Sequence, residues 1–208
     1  MHNKLKFYGD SISGNCYKLQ LACSELEIDY DWHELDILSG ATRTDEFLGM
    51  NPNGKVPIMV LPDGRCLSES NAILSYLADG SSLCGADRFA SANVLQWMFF
   101  EQYSHEPYIA TSRFIVKYLG SPPDRQSDLE SKKPGGYKAL DVMERQLASS
   151  NFLANNEFSI ADIALYAYTH VAHEGGFDLS EYPAVRAWLA RIEARPRYVP
   201  MRAAIKQA

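Results

Sequence analysis

The first 35 residues alternate between strand-like and helix-like patterns of apolar positions. Leu5 to Tyr8 alternates apolar and polar side chains, which predicts a strand, and the Gly- and Ser-rich segment 9–14 ends it. Apolar positions from Leu19 to Leu26 predict a helix, and alternation returns over 30–35 as a second strand. This order predicts a β-α-β start with a parallel crossover.

Short elements follow between residues 44 and 77. A Thr-Asp-Glu sequence ahead of apolar residues predicts a short helix over 44–50, which the following Asn-Pro ends. Val56 precedes a proline and is therefore expected to be extended, and the apolar run 58–61 ends at a Pro-Asp-Gly turn. The polar cluster 68–70 precedes apolar positions at helical spacing, which predicts a helix N-terminus after a hairpin.

The pattern after residue 87 is purely helical. The Gly- and Ser-rich segment 80–86 predicts the domain boundary, and a long helix is expected up to Leu119 with a kink or interruption at Pro107. The Pro- and Gly-rich stretch 121–136 predicts a surface connection.

Two later helices have recognisable starts. Ser159-Ile-Ala-Asp162 predicts a capping box at the N-terminus of a buried helix, and its role is expected to be structural. Pro183 suits the first turn of a helix that runs to Ala194.

Composition narrows the function. The 208 residues are 46% hydrophobic and 22% charged, which favours globular domains with an ample core. A net charge of -6 without basic blocks disfavours nucleic acid and anionic membranes as partners, so a small-molecule ligand is expected. The start lacks a signal-peptide pattern and no apolar run approaches the length that spans a bilayer, which predicts a cytoplasmic protein.

Two motifs with matched spacing carry a family resemblance. Asn-Pro-Asn-Gly-Lys-Val-Pro at 51–57 and Ser-Glu-Ser-Asn-Ala-Ile at 68–73 resemble the glutathione-binding half of a cytosolic, bacterial-type glutathione S-transferase. The resemblance implies an α/β thioredoxin-like N-terminal domain plus an all-α C-terminal domain. The expected division is 1–79, a linker at 80–86, and a helical domain at 87–208 that lines the cosubstrate pocket.

The resemblance also implies an activity. Reduced glutathione is the expected cosubstrate, activated as a thiolate for attack on a small hydrophobic electrophile, as in detoxification. Alignment places Ser13 at the position that contacts the glutathione sulfur, with Ser11 and Cys16 as alternatives. From the residues alone, both serines are expected to form a turn or cap a helix, and Cys16 is expected to be a buried, inert thiol.

Glutathione-binding positions follow from the same alignment. Val56 is expected to pair through its backbone with the cysteinyl residue of glutathione, next to a cis proline bond. Glu69 matches the residue that faces the ligand's α-amino group, and Ser70 faces the γ-glutamyl carboxylate at a helix N-terminus. The remaining expected contacts, near the glycine carboxylate, are Thr42, Arg43 and Lys55.

The helical half is expected to hold the electrophile. The resemblance implies that an aromatic-rich stretch contributes to this pocket, with Tyr103, Tyr108 and Arg113 as candidates, although most of its aromatic residues are expected to be core. It also implies a homodimer. Two alternatives stay open: a non-catalytic binding or regulatory protein of the same fold, and a glutathione-dependent thiol transferase or isomerase.

No metal is expected. The four cysteines form neither a Cys-x-x-Cys pair nor a zinc spacing. His170, His173 and Glu174 have the i, i+3, i+4 spacing of one helix face, but no third ligand cluster accompanies them.

Overall fold

The computed structural model describes residues 4–201, and these divide into two compact units. The first contains the described residues up to Asp79 together with those from Pro196 onward, and the second spans Gly80–Arg195. The outermost residues of the domains expected from the sequence, 1–3 and 202–208, lie outside the described part of the chain.

A four-stranded mixed sheet forms the centre of the first unit. Its strands are β1 (Leu5–Gly9), β2 (Tyr30–Glu34), β3 (Ile58–Val60) and β4 (Cys66–Ser68), in the order β2-β1-β3-β4. β1 runs parallel to β2, whereas β3 is antiparallel to both β1 and β4. The parallel β-α-β start and the hairpin that the sequence predicted are therefore confirmed.

Three helices accompany this sheet: α1 (Gly14–Leu26), α2 (Asp45–Met50) and α3 (Ser70–Ala78). α1 and α3 pack against each other, and apolar side chains such as Leu19, Ile73 and Leu74 are fully buried. On the sheet, Phe7 of β1 lies opposite Met59 of β3, and both side chains are fully buried. Burial of this apolar surface is the main stabilising contribution to the unit.

The second unit is helical. Its α-helices are α4 (Arg88–Phe100), α5 (Glu106–Arg113), α6 (Gln126–Leu147), α7 (Ile160–Thr169) and α8 (Pro183–Glu193), with short 3-10 turns between some of them. α7 is buried along its whole length, as expected for a central helix. Together with the sheet-containing first unit, this gives a thioredoxin-like α/β unit and an all-helical unit.

Pro107 interrupts the long helical stretch, as predicted. α4 ends at Phe100, a π-helical segment covers Glu101–His105, and Pro107 then lies in the first turn of α5. Because proline lacks an N–H group, the regular hydrogen-bond ladder does not pass through it, and the wider π turn accommodates the break.

The predicted surface connection over 121–136 is wrong for most of its length. α6 begins at Gln126 and continues through Pro134, Gly135 and Gly136 to Leu147. Each glycine is required by packing, since a Cβ at Gly135 would collide with the ring of Tyr108 and one at Gly136 with the ring of Phe177. The close approach of two aromatic rings thus explains why glycines, which locally favour a turn, lie inside this helix.

The segment after Arg195 packs with the first unit, whereas the sequence-based division had assigned it to the helical domain. The hydroxyl of Tyr17 on α1 donates to the carbonyl of Val199 at 2.6 Å, and Ser24 Oγ donates to the carbonyl of Arg197 at 2.7 Å. These two bonds hold the segment along α1.

Candidate functional site

The sheet register gathers three chain segments at one end of the sheet. Tyr8 near the end of β1 lies opposite Ile58 at the start of β3, and Ile58 lies opposite Ser68 at the end of β4. The loop after β1, the Val56–Pro57 bond before β3 and Glu69 after β4 consequently meet there. The Val56–Pro57 peptide bond is cis.

The N-terminus of α3 lies at this end of the sheet and has no side-chain cap among the described residues. Glu69 occupies its N-cap position with φ 69° and ψ 111°, and its exposed side chain forms no capping hydrogen bond among the described residues. Ser70, the first helical residue, is 5% exposed. The first amides of a helix have no partner within the helix, so an uncapped N-terminus is suited to bind an anion.

The N-terminus of α1 lies at the loop after β1. Ser13 is its N-cap residue, and the Ser13 side chain makes no capping hydrogen bond within the described chain. Its N–H donates to the carbonyl of Asp10 at 3.0 Å, and its partly exposed hydroxyl forms a hydrogen bond with the Cys16 thiol. A hydroxyl and a helix N-terminus, both able to stabilise a negative charge, are thus combined at this position.

Ser11 is held differently. Both its N–H, at 3.0 Å, and its hydroxyl, at 3.1 Å, donate to Oε1 of Glu34 at the end of β2. The residue is 7% exposed. Because its hydroxyl proton is directed to a carboxylate of the protein, Ser11 is suited to fix the loop rather than to donate to a ligand.

Cys16, the third candidate, is fully buried in α1. Burial raises the pKa of its thiol to about 12, against the lowering effect of hydrogen bonds from Asp10 and Ser13. A thiol with that pKa is almost entirely protonated at neutral pH and is a poor nucleophile. Ser13 is the least buried of the three candidates, although its contact with a sulfur stays a prediction.

Arg43 approaches the loop that precedes Val56 and contains Lys55. Thr42 and Arg43 lie in a 3-10 turn, Ala41–Arg43, and the guanidinium of Arg43 packs directly on Gly54, where a Cβ would collide with it. Lys55 follows, and its carbonyl accepts from Asn51 Nδ2 at 2.8 Å. The turn therefore brings Arg43 beside the loop that contains Lys55.

Lys18 is a further residue at this site that the sequence analysis did not identify. Its side chain is fully buried in α1, and its Nζ donates to Ser70 Oγ and to Asn71 Oδ1, each at 3.2 Å. Ser70 Oγ in turn donates to Asn15 Oδ1 at 3.1 Å. The available signal was the position of a lysine on the apolar face of α1, three and four residues before Leu21 and Ala22.

The three residues expected to hold an electrophile have different surroundings within the second unit. The side chain of Tyr103 is 85% exposed, and the ring of Tyr108 packs against Gly135. Arg113 is buried, and its Nε lies 2.6 Å from Oε2 of Glu174. The structure gives Arg113 a partner inside its own unit, and the ligand contacts of all three stay predictions.

Two of the three residues considered for a metal, His170 and Glu174, are engaged in other contacts. Glu174 also pairs with Lys117 at 2.8 Å, and although burial raises its pKa, hydrogen bonds from Lys117 and Arg113 bring it below the ordinary value. His170 stacks on Tyr166, and burial lowers its pKa to about 4. Across residues 4–201, no group of three or more His, Cys, Asp or Glu side chains is arranged to hold a metal ion.

Helices of the described chain do not reach the combination of length and apolarity that crossing a bilayer requires.

Comparison with known proteins decides the family. Models of the glutathione S-transferase N-terminal and C-terminal domains match residues 12–79 and 97–196. The chain belongs to the glutathione S-transferase family. Membership confirms the fold expected from the two sequence motifs.

Three relatives from this family have names that state different activities or ligands. A solved glutathione S-transferase from Pseudomonas fluorescens is 56% identical, with a TM-score of 0.93 over 95% of this chain and 98% of that one. Disulfide-bond oxidoreductase YfcG of Escherichia coli is 31% identical over 88% of this chain and 87% of its own. Ure2p in complex with glutathione is 25% identical, with a TM-score of 0.84 over 95% and 93% of the chains.

Proposed function

We propose that this protein is a glutathione transferase that holds glutathione as a thiolate and presents it to a small hydrophobic electrophile. The observation that carries the proposal is the pair of uncapped helix N-termini, at Ser13 of α1 and Glu69 of α3, in the first unit. Both ends favour negative charge, and glutathione supplies a thiolate and a carboxylate.

The charges of the first unit match those of extended glutathione. The carboxylate of Glu69 faces the α-amino group, the amides at Ser70 bind the γ-glutamyl carboxylate, and the backbone of Val56 pairs with the cysteinyl residue. Thr42, Arg43 and Lys55 serve the glycine carboxylate at the other end. The packing of Arg43 on Gly54 supports this last grouping.

The energy needed to ionise the thiol is within reach of these groups. A free thiol has a pKa of about 8.5, and lowering it by about two units requires roughly 2.7 kcal/mol. A hydrogen bond from Ser13 to a charged sulfur contributes about 1.5 to 3 kcal/mol, and the helix N-terminus about 0.3 to 1 kcal/mol. The thiolate then attacks an electrophilic carbon, forms the C–S bond and expels the leaving group with its electron pair.

A second candidate function is reduction of a disulfide by glutathione. The name of the Escherichia coli relative favours it. The burial of Cys16 argues against a protein cysteine in that role, so the sulfur of glutathione would attack the disulfide itself. A protein of this fold that binds glutathione without chemistry is the remaining alternative.

We further propose that two copies associate through α4 and the π-helical segment Glu101–His105 that follows it. Leu95, Phe99 and Tyr103 recur at four-residue spacing, and their side chains are 43%, 69% and 85% exposed. An exposed apolar row of this kind commonly marks a protein–protein interface. The homodimer, the cytoplasmic location and the physiological electrophile stay predictions.

The test is turnover with two substrates, an aryl halide and a small organic disulfide, in the presence of reduced glutathione. Wild type is expected to conjugate the aryl halide, and Ser13→Ala to lower kcat/KM by about tenfold or more, from the lost hydrogen bond. Ser39→Ala, an exposed loop serine in the same unit, is the matched control.

Each other outcome selects an alternative. Turnover of the disulfide alone would replace conjugation by disulfide reduction. Binding of glutathione without turnover of either substrate would favour a protein that binds glutathione but does not catalyse a reaction.

A further inference from the structure

A fully buried lysine lies behind the proposed carboxylate site. Lys18 is in the middle of α1, and its side chain has no exposed surface. Burying an ammonium group is costly unless hydrogen bonds and nearby charges offset the loss of water. A lysine in such a position therefore requires an explanation beyond solubility.

The ammonium group is directed at the first turn of α3. It donates to the side-chain oxygens of Ser70 and Asn71, the first two residues of that helix, both at 3.2 Å. Ser70 Oγ in turn donates a hydrogen bond to Asn15 Oδ1 at 3.1 Å. Hydrogen bonds thus connect Lys18, Ser70 and Asn15. They fix the orientation of the Ser70 hydroxyl at the first residue of α3.

Two positive contributions coincide at this point. The N-terminus of α3 carries the positive end of the helix dipole, and the Lys18 ammonium adds a full charge one side chain away. In the absence of an anion the two repel each other, whereas an anion at the Ser70 amide interacts favourably with both. The arrangement suits a bound carboxylate better than it suits the empty helix end.

We infer that Lys18 is a positioning residue, which through Ser70 sets the affinity for the γ-glutamyl α-carboxylate of glutathione. This inference rests on the proposed function, because it concerns the same site. It predicts that the charge of Lys18 increases affinity only for ligands that carry this carboxylate.

The experiment compares two ligands by calorimetric titration: glutathione, and an analogue in which the γ-glutamyl α-carboxylate is an amide. In Lys18→Met, the Kd for glutathione is expected to rise about 10- to 100-fold, as for loss of a charge-assisted interaction. The Kd for the amide analogue is expected to change by no more than about twofold. Lys6→Met, an exposed lysine on β1, is the matched control and should leave both values unchanged.

If the role of Lys18 is purely structural, Lys18→Met should raise the Kd of both ligands by the same factor. This result would overturn the inference while leaving the proposed function intact. Lys18→Gln keeps a hydrogen-bond donor without the charge, and it serves if the methionine variant does not fold. A wild type that binds neither ligand would overturn the proposed function, and the inference with it.

Discussion

Two helix N-termini in this protein, at α7 and at α3, are in opposite states. At α7, Asp162 Oδ2 accepts from the N–H and the hydroxyl of Ser159, at 3.0 and 3.1 Å, and the whole cap is buried. At α3, the exposed Glu69 makes no capping bond within the described chain and has a positive φ of 69°. The protein caps the first helix end itself, whereas the second has no side-chain cap among the described residues.

The contrast shows how capping separates stability from binding. A buried helix end must satisfy its amides internally, since unpaired buried donors are costly. An accessible end can leave them to a ligand, and strained backbone at such a position is a frequent companion of function. We therefore expect substitutions at α7 to change the free energy of unfolding, and substitutions at α3 to change affinity for glutathione.

The largest expected effect is that of Asp162→Ala on stability. The carboxylate also accepts from the N–H of Leu153 at 3.0 Å and from Trp188 Nε1 at 2.9 Å. Leaving several buried donors unpaired, at about 1 to 3 kcal/mol each, should lower the free energy of unfolding by roughly 3 kcal/mol or more. Urea unfolding measures this. Asp124→Ala, at an exposed aspartate of the same unit, should have almost no effect.

Stability at α7 should also depend on pH. Burial raises the pKa of Asp162 from 3.8 to about 6, although hydrogen bonds from Leu153, Trp188 and Ser159 oppose the shift. Between these values the folded protein holds a proton that the unfolded chain has released, so this group lowers stability as pH rises from about 4 to 6. Relative to Asp162→Asn, wild type should lose up to about 3 kcal/mol over that interval. A constant difference between the two unfolding curves would contradict the prediction.

At α3, Glu69→Gly should separate the two properties. Removing the carboxylate should weaken glutathione binding about tenfold or more, because its proposed partner is the cationic α-amino group of glutathione. Relief of backbone strain should meanwhile raise the free energy of unfolding by about 1 kcal/mol. Glu27→Gly is the control: Glu27 also has a positive φ, 55°, at the C-terminus of α1, so it should stabilise without loss of affinity.

The smallest expected effects compare two N-cap serines. Ser159→Ala removes a buried cap and should cost about 1 kcal/mol of stability. Ser13→Ala removes a hydroxyl that makes no capping bond within the described chain and whose partner, the Cys16 thiol, forms only weak hydrogen bonds, so it should cost less than about 0.5 kcal/mol. Equal losses in thermal unfolding would show that Ser13 is mainly a structural residue.

Much of the first unit was predictable because its signals are local. Alternation over β1 and β2, the Pro-Asp-Gly turn and the polar start of α3 each act within a few residues. The capping box at Ser159 and the interruption at Pro107 are equally local, and the structure confirms both.

The failures have long-range causes. Gly135 and Gly136 lie inside helix α6 because the rings of Tyr108 and Phe177, distant in sequence, occupy the space that side chains would need. Ser11 is fixed by Glu34, 23 residues away, and Lys18 by Ser70, 52 residues away. Local propensity contains no information on such partners, so the sequence alone left Ser11 and Ser13 undecided and did not reveal Lys18.

The central claim is that the open ends of α1 and α3 bind glutathione and stabilise its thiolate. The most direct test is the thiolate absorbance of glutathione bound to wild type and to Ser13→Ala, measured across pH. We predict a thiol pKa well below the free value of about 8.5 in wild type, and a rise of one unit or more, about 1.4 kcal/mol, in the variant. Bound glutathione with an unshifted pKa in wild type, or the same pKa in both proteins, would contradict the account.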